Sequence, residues 1–80
     1  MSAENSFYFH VMDQHGKGIR GVALEGVYMD MQPRLLPAVY TDREGKAIIE
    51  SYSNTLIGIH VDGQEIQSYY YPNRLYGFQK

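Results

Sequence analysis

Thr55-Leu56-Ile57-Gly58-Ile59-His60-Val61-Asp62-Gly63 is the stretch on which the fold turns. Thr55, Ile57, Ile59 and Val61 alternate with Leu56, Gly58, His60 and Asp62. A period of two sends successive side chains to opposite faces of a pleated strand, so Ile57, Ile59 and Val61 are expected to share the inner face. Asp62-Gly63 follows at once, a pair suited to a tight hairpin because both positions tolerate positive φ. The returning strand is expected from Glu65 to Tyr71, stopped by Pro72.

Working outward, Phe7, Phe9 and Val11 set one face of a first strand, with Tyr8, His10 and Met12 on the other. A glycine-bearing turn, Asp13 to Gly18, leads to a second strand from Gly21 to Met29. Its apolar parity switches from Val22/Leu24 to Val27/Met29, which predicts a β-bulge at Glu25-Gly26. Pro33 and Pro37 mark Asp30 to Pro37 as a loop or an edge, with Leu35 and Leu36 capping the core, and Ala38 to Thr41 reads as a short strand. Thr41-Asp42-Arg43-Glu44-Gly45 is the clearest turn, since Asp42 can accept an N–H two residues on and Gly45 can take a left-handed conformation. Lys46 to Ser51 returns as a strand. Short strands at intervals of about 8–12 residues, with no sustained helical period, predict an all-β sandwich.

Composition agrees. Eight Tyr, three Phe and many Val and Ile accompany eight Gly, and there is no Cys or Trp. Eighty residues form one domain, 1–80, which buries only about 60–65% of its unfolded surface. Residues 1–5 are expected to be disordered, and 72–80 to form a last edge strand or a tail. A net charge of −2 with scattered Lys and Arg gives no stripe for a phosphate backbone, which argues against nucleic acid. No apolar run reaches the roughly 20 residues of a membrane span. The start of the chain shows no cleavable signal, so the expectation is a cytoplasmic protein or one exported by a signal-independent route.

Three segments together resemble a known pattern. Val11-x-Asp13-x-x-Gly16-x-x-Ile19-x-Gly21-Val22-x-Leu24 precedes Thr41-Asp42-x-x-Gly45-x-Ala47-x-Ile49, and Thr55-x-Ile57-x-Ile59-x-Val61 with Asp62-Gly63 follows. In order and spacing they resemble the carboxypeptidase regulatory-like, or transthyretin-like (prealbumin-like), sandwiches. The resemblance implies a seven-stranded Greek-key fold, related to Ig-like sandwiches, and a non-catalytic accessory or adaptor role. It also implies a protein partner, such as a cargo or spike component of a bacterial secretion system. One enzymatic branch, the 5-hydroxyisourate hydrolases, shares a signature similar to His10-Val11-Met12-Asp13 with Gly16 and Gly21-Val22, which would make His10 catalytic. The closing Tyr-Arg-Gly-Ser of that branch is missing from Leu75-Tyr76-Gly77-Phe78-Gln79-Lys80, and its second histidine has no match. An oligomeric carrier holding a small ligand between subunits is the remaining alternative.

The side chains with chemistry read mostly as turn and surface residues. His10, His15 and His60 lack metal-site spacing, Asp13, Asp42, Glu44 and Asp62 belong to turns, and no Gly-x-Ser-x-Gly elbow surrounds a serine. His10 and His60 are expected on the outward faces of neighbouring strands. No catalytic residue, metal or cofactor is assigned. The protein-binding candidates are Tyr69, Tyr70, Tyr71, Tyr76 and Phe78, five rings in the last twelve residues. Strand parity sets Tyr69 and Tyr71 against Tyr70, so part of this set should be exposed, while the rest closes a core that lacks Trp.

Overall fold

Residues 5–80 are described by a computed structural model. Eight strands follow in order: β1 Asn5–Met12, β2 Ala23–Asp30, β3 Gln32–Leu35, β4 Val39–Tyr40, β5 Lys46–Ser51, β6 Leu56–Val61, β7 Gln64–Tyr70 and β8 Leu75–Gln79. No helix occurs among the described residues. The expectation of a tail through residue 5 changes at Asn5, which opens β1, and residues 1–4 lie outside the described residues. Of the stretch 72–80, Leu75–Gln79 forms an edge strand.

The strands divide between two sheets in a β-sandwich-like arrangement. Sheet A has the order β5-β1-β8, with β1 antiparallel to β5 and parallel to β8. Sheet B has the order β3-β2-β6-β7, and β4 joins it beside β2. Eight strands stand where seven were expected because one edge is interrupted. β3 pairs with β2 from Val27↔Leu35 to Asp30↔Gln32, and the Leu36 N–H still reaches the Gly26 carbonyl at 2.8 Å. Pairing resumes one residue out of step at Leu24↔Val39, so the extra residue sits in Pro37-Ala38.

That interruption corrects the reading of β2. The predicted bulge at Glu25-Gly26 does not form, for β2 runs in unbroken register against β6 from Leu24↔Val61 to Val27↔Gly58. The irregularity lies across the ladder, on the proline-bearing edge strand, where a missing donor costs no internal bond. Gly26 stays on the inner face, where a Cβ would stand 3.2 Å from the methyls of Leu36 and Leu56. Val27 and Met29 consequently keep to the outer face. A second correction concerns β6. Leu56, Ile59 and Val61 are buried in the core while Ile57 lines an outer groove. The β6–β7 register slips by one between Leu56↔Tyr70 and Gly58↔Gln67, and parity changes with it.

The core between the sheets is made by Phe7, Phe9 and Val11 of β1, Ala47 and Ile49 of β5, Leu24 of β2, and the inward residues of β6, with Val22 and Tyr70. At roughly 25 cal/mol per Å² of apolar burial, a core of this size leaves a small domain a net stability of a few kcal/mol.

One turn chemistry is used twice. Asp13-x-x-Gly16-Lys17 and Asp42-x-x-Gly45-Lys46 carry the same residues at the same spacing. In each, an aspartate Oδ1 accepts the N–H groups two and four residues on, at 2.8–3.0 Å. The glycines adopt φ of 82° and 83°. Of the two, the Asp42 turn is pressed into the fold. The Val11 N–H bonds the Gly45 carbonyl at 2.7 Å, and a Cβ on Gly45 would lie 2.3 Å from the Val11 carbonyl oxygen. Buried Thr41 locks the neighbouring loop, accepting the Val22 N–H at 2.9 Å and donating to the Ile19 carbonyl at 2.6 Å.

Candidate functional site

The five aromatic candidates separate into two groups. Tyr70, at 5% exposure, points inward from β7 and meets Phe9 edge-on at a centroid distance of 5.6 Å. Tyr76 and Phe78, half-buried on β8, face the same rings, with Tyr70–Tyr76 at 4.9 Å and Phe9–Phe78 at 5.8 Å. β7 and β8 are edges of different sheets, and this ring cluster closes the side of the sandwich between them. The Tyr76 hydroxyl accepts the Tyr71 N–H at 2.9 Å and ties the β7–β8 corner. Burial raises the Tyr70 hydroxyl above the ordinary tyrosine range, the phenolate being the form that a dry pocket disfavours. Tyr69 and Tyr71 are the exposed members. Arg74 stacks its guanidinium 5.7 Å from the Tyr71 ring centroid, whereas Tyr69, 65% exposed, borders a groove.

That groove, of about 440 Å³, lies on the outer face of sheet B. Val27, Met29, Pro33 and Ile57 form its apolar part, and Gln67, Ser68 and Tyr69 of the β7 bulge border it. Leu35 extends the apolar surface as the cross-strand partner of Val27, and Pro33 pairs with Met29 in the same way. The two leucines of the Pro33–Pro37 segment therefore part company, Leu36 packing on the core and Leu35 standing outside. Met31 turns the β2–β3 hairpin at φ 65° with its side chain 99% exposed. Beside the apolar zone runs a polar row in register across three strands, Glu25↔His60↔Glu65. Met29, Met31 and Ile57 are not among the residues that the sequence singles out for binding, and Leu35, expected with Leu36 to cap the core, projects outward instead. The available signal was the parity switch in β2, which marks apolar residues on both faces of one regular strand.

The outer face of sheet A carries another apolar row, Ile48–Tyr8–Leu75, one residue from each strand. It borders an open groove of about 600 Å³ with Lys46 and Asp42 at its rim. Hydrogen bonds from the N–H groups of Lys46 and Glu44 hold the Asp42 carboxyl below the usual carboxylate range. Asp62 is lowered chiefly by its bond from the Lys80 ammonium and next by the Ala23 N–H.

The histidines do not come together. His10 is on β1 of sheet A and His60 on β6 of sheet B, so the expectation of neighbouring strands is corrected: the two belong to different sheets. His10 Nε2 donates to the Glu44 carbonyl at 2.9 Å, which anchors the Asp42 turn. His15 sits in the Asp13 turn with its N–H on the Asp13 carboxylate. Among the described residues no group of three or more His, Asp or Glu is placed to hold a metal ion. Comparisons with protein-family models, with curated proteins and with solved structures find no match to this chain.

Proposed function

We propose that this chain is a non-catalytic accessory module that binds a protein partner on the outer face of sheet B. The observation that carries the reading is the apolar zone of Met29, Pro33, Leu35, Ile57 and Tyr69 over the nearly buried Val27, capped by the fully exposed Met31. Contiguous apolar surface of this kind on a small domain marks interaction sites, and methionine and tyrosine adapt to and cover a partner at low entropic cost. Glu25 and Glu65 at its border select a partner whose own apolar ridge has a basic rim.

We read the architecture as the transthyretin-like, seven-stranded Greek key. In support, β3 and β4 count as one interrupted edge, which leaves seven strands divided three and four between the sheets. Adaptor duty toward a secretion-system cargo or spike is the setting that this likeness suggests.

The test compares affinity capture from the native host by wild type and by a Met29→Glu, Tyr69→Ser variant with an unchanged far-ultraviolet spectrum. A protein retained by wild type and lost by the variant is expected. The same proteins retained by both overturn the assignment.

A further inference from the structure

The outer face of sheet B is shaped as a trough. One register row crosses it as Leu35↔Val27↔Gly58↔Gln67. On the edge strands β3 and β7 this row carries the exposed side chains of Leu35 and Gln67. On the central strands it carries nearly buried Val27 and a glycine, where a Cβ would stand 3.9 Å from that of Val27. Ile57 continues the floor, and Pro33 and Tyr69 continue the walls. Edge to edge the trough spans three strand spacings, about 14 Å.

The floor offers an occupant no main-chain partner. β2 is bonded to β3 and β4 on one side and to β6 on the other, and β6 to β2 and β7. The N–H and carbonyl groups beneath the trough are thus engaged within the sheet. An extended peptide lying there would have no strand beside it, and its own backbone groups would enter the trough unpaired. An α-helix closes its backbone bonds internally and, at about 10–12 Å across, fits the width.

Charge and length narrow the occupant further. Glu25 and Glu65 flank His60 in the row at one end of the trough. The outward positions of β2, β3, β6 and β7 hold no Lys or Arg, and Arg34, opposite inward-facing Tyr28, is paired with Asp30. A second copy of this face would therefore bring the two carboxylates no cation, whereas a basic segment would. At the other end stands the fully exposed Met31. The strand path from Glu25 to Met31 covers about 20 Å, the length of about 13 helical residues.

We propose that the partner of this face presents an amphipathic helix of about three to four turns. Its apolar side lies along the trough over Val27 and Ile57, and a Lys or Arg at one end meets Glu25 and Glu65. The inference rests on the sheet B reading above and names the kind of partner that face takes.

Displayed peptides of about 14 residues, selected against the whole chain, test it. One library repeats apolar residues at helical spacing with varied charge at each end, and the other alternates apolar and polar residues. Binders are expected from the first alone, with Lys or Arg at one end, and the synthetic peptide should gain helical circular dichroism on binding. Glu25→Lys with Glu65→Lys should weaken binding at least about tenfold by bringing like charges together, and a peptide whose basic end is changed to Glu should recover that loss. Binders from the alternating library, no gain of helix, indifference to the double reversal, or no binder from either library would each overturn the helix. Extended binders that the Met29→Glu, Tyr69→Ser variant loses would sink the helix alone and leave the sheet B reading standing. Helical binders that this variant retains would remove both.

Discussion

Tyr69 and Tyr70 are neighbours in the chain with opposite surroundings, and the difference is measurable. Tyr70 packs on Phe9, Tyr76 and Phe78, so Tyr70→Ala removes a ring from a filled space and should cost about 3 kcal/mol in urea denaturation. Tyr69→Ala, on the groove rim, should stay within about 0.5 kcal/mol. Parity made this split legible beforehand, since Tyr69 and Tyr71 had to oppose Tyr70. Inward-facing Ile66, four positions earlier in β7, shares its parity with Tyr70, whereas the slip opposite Ile57 shows in β6, where Leu56 and Ile59 both reach the core, and no side-chain type announces such a slip. Asp42 supplies a pH effect. Its folded carboxyl titrates below its ordinary value of 3.8, so the unfolded chain takes up the proton more readily. The stabilisation is complete above that value and is lost as pH falls through the lower, folded one. Urea midpoints between pH 5 and pH 2 should show this loss in wild type and a shallower one in Asp42→Asn.

The paired Asp-x-x-Gly-Lys turns separate local chemistry from packing. Gly16 and Gly45 have nearly equal φ, yet a Cβ on Gly16 meets nothing within 4 Å, while one on Gly45 collides with the Val11 carbonyl and the Gly18 backbone. Gly16→Ala should therefore cost only the left-handed penalty, about 1–2 kcal/mol. Gly45→Ala should cost clearly more, and thermal unfolding of the two variants side by side decides it. Both turns were readable from aspartate and glycine spacing, because their bonds are local. The docking of one and not the other was not readable, since it depends on Val11 and Gly18 from a distant part of the chain. Strand β2 teaches the same point. Val27 and Met29 break the inner-face pattern, and with no partner strand in view a bulge was the economical explanation. The ladder with β6 shows instead a straight strand that keeps apolar residues on its solvent side.

At the scale of the whole molecule, the chain crosses from one sheet to the other four times and brings its first and last strands together as neighbours. Such non-local pairing is slow to form, because closure entropy is spent before the contacts are gained. Stopped-flow refolding should accordingly take milliseconds to seconds, and a microsecond phase carrying the full amplitude would contradict the β1–β8 closure. The all-β class followed from the period of two, whereas the division into three and five strands did not, since alternation does not name a strand's neighbour. The parallel course of β1 and β8 also sets how the molecule bears tension. Traction applied through Asn5 and Lys80 pulls two adjacent strands lengthwise past one another, loading their rungs together instead of opening them singly. A domain strung between two moving bodies would thus resist extension far better along this axis than its modest thermodynamic stability implies, a contrast that single-molecule stretching would read as rupture force.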